Sequence, residues 1–344
     1  MTDLQWDSIK KAVQGKPSSS PQIGFIIDSP WLPGFYGINT IEYYTSGEKW
    51  FQANKKAIET FPDIIFLPGF WSEFGMCTEP SAFGCKCIWQ DSNLPHAEKI
   101  IQDISDIKNY NKPNPRSDGL LPFVIQRLQE YQEPIRKMGH NIRFAIARGP
   151  LNIATYLMGT TEFMMALAMY PEEAHKMLKM ISEFTIDWLQ LQKESFPDID
   201  GIFILDDIVG FVGDQECRDF VVPYLTDIFN AYDASVKFFH NDAPGLVSSK
   251  YLEQIGINLF NFSFEHSFGE ILEHTGNRVT LLGNLPPRDV LAAGNTVDVK
   301  NEVLKMFNSI DDKDRIIWSC GGGMPPDVSI ENIKTFENTI VNLY

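Results

Sequence analysis

The sequence predicts an α/β fold, a (β/α)8 barrel of the TIM type with an insertion over the barrel mouth. Three observations predict it. Eight short apolar runs each end in turn or polar residues. Helix-patterned segments lie between most of them. The 344 residues match the size of a large single α/β barrel. The runs lack clean polar/apolar alternation, as expected of parallel strands covered on both faces. The whole chain, 1–344, is therefore read as one barrel domain.

The runs occur in order at 23–30 (IGFIIDSP), 63–69 (DIIFLPG), 142–150 (IRFAIARGP), 201–207 (GIFILDD) and 236–242 (VKFFHND). INLFNFS (257–263), VTLLGNLPP (279–287) and RIIWSCGGG (315–323) complete the set. Residues 160–195 carry apolar side chains at helical spacing, and Pro171 divides them into two helices. Residues 214–235 read as another helix. SSKYLEQIG and FGEILEHTG each stop at a glycine, a normal helix end. The rhythm breaks at 70–141. That segment holds a loop rich in Gly, Cys and aromatic residues (70–90), a polar stretch and one amphipathic helix (PFVIQRLQEYQEPIRKMG). It is read as an insertion or lid over the barrel mouth. A short flexible entry is expected at 17–21.

Composition narrows the function. The net charge is −16 and the pI about 4.8, which argues against a nucleic-acid partner. No run of 18 apolar residues suggests a membrane span, and no secretory leader is visible in MTDLQWDSIKKAVQ, so a cytoplasmic location is expected. Five cysteines, an odd number in a large chain, are expected to stay reduced.

In such a barrel the active site lies at the C-terminal strand ends. Those ends carry Asp28, Phe70, Arg148, Asp206-Asp207, His240-Asn241-Asp242 and Cys320. Imidazole, carboxylate and thiolate suit a catalytic zinc with one open position, so His240, Asp242 and Cys320 are candidate ligands. Spacing alone leaves open a hydrogen-bonded strand-end His240 and a Cys320 that is merely a small buried hydrophobe. Side chains alternate along a strand, so one of Asp206 and Asp207 must face inward. Asp207 is preferred, as a further ligand, a general acid or a substrate acceptor. The cluster Cys77, Cys85 and Cys87 lacks zinc-knuckle spacing and reads as ordinary thiols. The glycines at 321–323 fit no phosphate-binding pattern and suit close backbone approach to a ligand. Trp31, Tyr36, Phe70 and Trp71 crowd the expected mouth. An aromatic-lined pocket there suits a flat organic substrate, and the alternative is packing of the insertion on the rim.

At RGPLNIATYLMGTTEFMMALAMYPEEAHKML, GNLPPRDVLAAGNTVDV and CGGGMPPDVSIENIKTF the chain resembles the uroporphyrinogen decarboxylase superfamily. The order of these segments agrees from about residue 22 onward. The resemblance implies a (β/α)8 barrel and one of two chemistries, decarboxylation of a tetrapyrrole with many carboxylates or corrinoid-dependent methyl transfer. In the methyltransferases a zinc is held by a His-x-Cys pair and a late Cys, which correspond here to His240, Asp242 and Cys320. Asp242 departs from that pattern. Residues 1–115 contain no arginine, whereas the decarboxylases carry an arginine-bearing segment near the N-terminus that clamps carboxylates.

The aromatic first segment and the loop GFWSEFGM…EPSAFGC resemble the methyl-donor side of anaerobic O-demethylase systems. That likeness implies methyl transfer from a phenyl methyl ether, of guaiacol, vanillate or veratrole type, to cob(I)alamin. His240 and Asp207 are the expected catalytic residues. The chain has no Asp-x-His-x-x-Gly cobalt-binding pattern, so the cobalamin would be supplied by a separate corrinoid protein that binds transiently. A thiol methyltransferase, a decarboxylase and a non-catalytic small-molecule binding protein are the alternatives.

Overall fold

A computed structural model describes residues 1–17, 20–91 and 93–344, so the entry expected at 17–21 falls partly outside the described residues. The eight apolar runs form eight strands: β1 (Gln22–Ile26), β2 (Ile65–Leu67), β3 (Phe144–Arg148), β4 (Gly201–Leu205), β5 (Val236–Asn241), β6 (Leu259–Phe262), β7 (Thr280–Leu285) and β8 (Ile316–Cys320). All pairings among them are parallel, in the order β2-β1-β8-β7-β6-β5-β4-β3.

The curled sheet is open between β2 and β3, where residues 70–141 leave the barrel. A bare parallel edge would leave backbone groups unpaired. Side chains meet this need on β3. Gln192 accepts from the Ile146 N–H (3.0 Å) and donates to the Ile146 carbonyl (2.9 Å). Glu79 accepts from the Arg148 N–H (3.0 Å). The ladder that would close a full barrel is thus replaced by two long polar side chains.

Hydrophobic packing occurs on both faces of the sheet. Helices such as α1 (Gly47–Thr60), α2 (Leu121–Lys137), α3 (Pro150–Met158) and α4 (Pro171–Ser195) cover the outside. The interior is a separate cluster that includes Ile26, Leu67, Trp71, Phe144, Phe203, Phe238, Leu259 and Leu282. An N-terminal helix, Asp3–Val13, closes this interior from the strands' N-terminal side. Its Trp6 packs edge-on against Phe144 (5.3 Å between ring centroids) and its Ala12 carbonyl accepts from Thr280 (2.8 Å).

The break at Pro171 falls as its ring geometry requires, between Thr160–Met169 and α4. The single helix expected over 214–235 is instead a turn of α-helix, a π-turn (Cys217–Val221) and a helix from Val222 to Phe229. Pro223 has no N–H to offer the preceding turn, and the register widens just ahead of it. The loop expected at 70–90 includes a short helix, Thr78–Ala82, and Cys87–Ile88 pairs antiparallel with His96–Ala97. No helix among the described residues is long and apolar enough to cross a membrane.

Candidate active site at the C-terminal strand ends

A cleft of about 500 Å³ opens where the strands end. Its lining includes Asp28 after β1, Arg148 at the end of β3, Asp207 after β4, and His240 and Asp242 at the end of β5. Met76, Asn93 and Leu94 of the 70–141 segment also face it.

The consecutive aspartates after β4 part company. Asp206 is fully buried and accepts from the Leu151 and Asn152 N–H groups (2.9 and 3.0 Å), capping the start of α3. A Cβ at residue 149 would overlap the Asp206 carboxylate, which explains the glycine there. Asp207 turns into the cleft, where its Oδ1 lies 3.5 Å from His240 Nε2. Asp242 Oδ2 lies 3.9 Å from the same nitrogen. Asp207, His240 and Asp242 each offer one ligand atom, and all three atoms fall within 4.8 Å of one another.

The ring orientation of His240 is set from behind. Asn261 donates its amide N–H groups to the Leu282 and Cys320 carbonyls (2.8 and 3.2 Å). Its oxygen must therefore accept, and the partner is His240 Nδ1 at 2.7 Å. In the neutral ring Nδ1 carries the hydrogen and Nε2 presents a lone pair to the two carboxylates. Metal-binding histidines are commonly oriented in this way. Tetrahedral bonds of about 2.0–2.2 Å imply donor separations of about 3.3–3.6 Å. The His240–Asp207 distance fits this, while Asp242, 3.9 Å from Nε2 and within 4.8 Å of the Asp207 ligand atom, must move inward to complete the set. Burial holds the Asp207 carboxyl above its ordinary pKa, His240 opposes this and Asp242 adds to it. A divalent cation would relieve that crowding, so the residues present could hold a metal ion.

Cys320 behaves differently from the other candidate ligands. It is fully buried, its thiol donates to the Gly322 carbonyl (3.3 Å), and burial pushes its pKa up to about 12. Its sulfur is not in the three-atom cluster, where Asp207 stands instead. The glycine run serves close approach. Gly322 has φ +133°, and a Cβ there would lie 2.7 Å from Asp242 Oδ2.

The four aromatic residues expected at the mouth do not line this cleft. Trp31 is buried, donates its indole N–H to the Val328 carbonyl (3.2 Å) and stacks on Phe35. Tyr36 packs from the side, beneath Lys56. Phe70 stacks on Phe51, and Trp71 sits edge-on to Phe203 inside the barrel. Large rings gain more from complete burial than from half-burial at a wet rim.

The second half of the cleft was harder to read from sequence. Arg148 pairs with Glu73 (3.2 Å) and approaches Glu79 (3.8 Å). Burial alone would lower its pKa, but Glu73 and Glu79 hold it above the ordinary arginine value. Ser29 donates to Glu73 (2.7 Å). Asp28 carries a buried Oδ1 with no partner. Burial and then Glu73 raise its pKa well above the usual carboxylate range, against the pull of Arg148. Asp28 and Arg148 were visible as strand-end residues. Glu73 and Glu79 gave no signal, because one comes from the irregular chain just after β2 and the other from the short helix Thr78–Ala82, neither of them a strand end.

Asp28 has a testable consequence. A carboxyl whose folded pKa is raised binds more protons folded than unfolded between its two pKa values. Its contribution to stability therefore falls as pH rises through that window, and the cost is fully present above the folded pKa. The variant Asp28→Asn should gain thermal stability relative to the parent, by an amount that grows as pH rises above the ordinary carboxylate range. A difference that stays constant at every pH above that range would show that Asp28 ionises normally.

Comparison with known proteins agrees with this architecture. Residues 35–343 match the family described as Uroporphyrinogen decarboxylase (URO-D). A uroporphyrinogen decarboxylase of Chloroherpeton thalassium is 26% identical over 179 residues, about half the length of each protein (50% of this chain, 49% of that one). The enzyme of the same name from Vesicomyosocius okutanii is 25% identical over 269 residues, covering 75% of this chain and 74% of that one. Among solved structures, a methyltransferase from Methanosarcina mazei superposes with a TM-score of 0.83 over 99% of both chains at 17% identity, a likeness of fold. With a family match that runs over almost the entire chain, from before β2 to the last helix, this protein belongs to the uroporphyrinogen decarboxylase family.

Proposed function

We propose that this protein is a corrinoid-dependent methyltransferase that moves the methyl group of a phenyl methyl ether to the cob(I)alamin of a separate corrinoid protein. The observation that carries this reading is the convergence of Asp207, His240 and Asp242 at the floor of the cleft, with the Nε2 lone pair of His240 facing both carboxylates. The full-length likeness of fold to a methyltransferase supports it.

The reaction breaks the bond between ether oxygen and methyl carbon, and the aryl oxide departs with the electron pair. Aryl oxides leave poorly near neutral pH unless their charge is stabilised. A divalent cation held by His240, Asp207 and Asp242 would supply Lewis acidity at the ether oxygen. With one nitrogen and two oxygen ligands, the site suits an oxygen substrate better than a thiol. Asn261 keeps His240 in the ligating tautomer. Asp28, held toward its protonated form, is positioned in the same cleft to hydrogen-bond a developing oxyanion or a ring hydroxyl.

The names of the curated relatives favour decarboxylation as the second reading. Its substrate carries many carboxylates and needs guanidinium partners. The cleft offers Arg148 and Arg288, and Arg148 is already engaged by Glu73 and Glu79. Among the described residues this leaves one uncommitted arginine in the cleft, Arg288, which weighs against the decarboxylase reading.

The test is the visible spectrum of cobalt in a reduced corrinoid protein mixed with this protein and guaiacol-type ethers. Loss of the cob(I) band with growth of methylcob(III)alamin is the expected result. No change across a panel of ethers, with a corrinoid protein of verified activity, would reject the methyl-donor reading. Demethylation of methylcobalamin by added thiol would then identify the thiol methyltransferase, and carbon dioxide release from uroporphyrinogen the decarboxylase.

A further inference from the structure

A second cavity, of about 520 Å³, is lined in part by near neighbours in sequence of residues that line the cleft. Thr40 and Met76 face the cleft, while their near neighbours Ile41 and Phe74 face the second cavity. Tyr44, Phe74, Trp89 and Phe123 make its walls aromatic. Trp89 and Phe123 remain 38% and 60% exposed, so considerable apolar surface faces water there.

Arg127 of α2 also lines this cavity, and its state is unusual. It is only 8% exposed. Its guanidinium lies 4.8 Å from the centre of the Phe74 ring, and Nη2 donates to the Tyr44 carbonyl. Nη1 has no hydrogen-bond partner and is itself covered by the surrounding side chains, so pairing with a ligand requires the guanidinium to turn toward the cavity. Among the described residues no carboxylate forms an ion pair with it. Glu73 is the acidic group whose charge it feels, and Glu73 is already held by Ser29 and Arg148. Arginine stays charged when buried, so this is a desolvated cation without a counter-ion, an arrangement that costs several kcal/mol on the usual scale.

We infer that this cavity is a binding site for a flat aromatic carboxylate, its ring between Trp89, Phe74 and Phe123 and its charge paired with Arg127. The volume lies within the ordinary range for small-molecule sites, and an aromatic wall with one convergent cation is the expected lining for such an anion. Glu130 also lines this cavity, but it is exposed, and solvent screening weakens its repulsion of an anionic ligand. The inference does not depend on the proposed methyl transfer, since the ligand needs no methoxy group.

The test is calorimetric titration of the full chain with 1-naphthoate and with its neutral analogue 1-naphthamide. Naphthoate should bind at least about tenfold more tightly than the amide, the scale of one charge-assisted hydrogen bond. Arg127→Met should abolish that preference. Because this variant loses the bond to Tyr44 and can fail to fold, Phe123→Glu provides the second arm. It changes an exposed residue and places a negative charge at the entrance, so naphthoate binding should be lost while the fold is kept. Asp207→Asn, in the neighbouring cleft, should leave naphthoate binding unchanged. Equal binding of acid and amide, loss of binding in Asp207→Asn but not in Phe123→Glu, or no binding at millimolar naphthoate would each overturn the inference.

Discussion

His240→Ala is expected to lose bound metal and to slow methyl transfer about a thousandfold or more. Lewis-acid stabilisation of a leaving oxyanion is worth several kcal/mol, and each 1.36 kcal/mol is a factor of ten in rate. His240 supplies the one nitrogen of the ligand cluster, and the two remaining carboxylates cannot replace its geometry. The variant should remain folded. Its direct structural loss is the bond to Asn261, about 1–3 kcal/mol for leaving that buried oxygen unpaired. The checks are metal content after dialysis, far-ultraviolet circular dichroism, and the rate of methylcob(III)alamin formation. A folded, metal-free His240→Ala protein with full activity would remove the metal from the mechanism. An unfolded one would assign His240 a structural role first.

Trp71→Ala is expected to destabilise the barrel by about 3–5 kcal/mol, the usual cost of truncating a buried tryptophan. Trp71 is 5% exposed and belongs to the interior cluster, edge-on to Phe203 at 6.0 Å. The Arg148 guanidinium lies 5.8 Å from the centre of its ring, so this contact is lost as well. The bond from the Trp50 indole goes to the Trp71 backbone carbonyl and should survive. Urea unfolding followed by circular dichroism measures the loss, and metal content should be unchanged. A stability change below about 1 kcal/mol, far under the usual cost of such a truncation, together with a raised KM for the aryl ether, would instead make Trp71 a substrate-contacting residue.

The eight strands were legible because burial of a parallel strand on both faces leaves a local record, a short apolar run ended by turn residues. For the same reason His240, Asp242 and Cys320 could be nominated as ligands, with Asp207 as a further ligand, an acid or an acceptor. They are strand-end residues, and a barrel gathers its strand ends at one rim. Alternation along β4 required one of Asp206 and Asp207 to face inward, though the identity of the other's partner, the start of α3, could not be read.

What only the tertiary structure decided concerns direction and pairing. Cys320 ends its strand as anticipated, yet its thiol turns to the Gly322 carbonyl and Asp207 stands in the cluster. Asn261, which sets the His240 tautomer, is an unremarkable polar residue in an apolar run until β6 is laid beside β5. The seam between β2 and β3 is sealed by Gln192 and Glu79, one from α4 and one from the short helix Thr78–Ala82. The unpaired charge of Arg127 is invisible in a helix that reads as simply amphipathic. Strand formation depends on neighbours in the chain, so composition and periodicity record it. Hydrogen-bond partnership, side-chain direction and the absence of a counter-ion depend on residues tens to hundreds of positions away, and no local pattern carries that information.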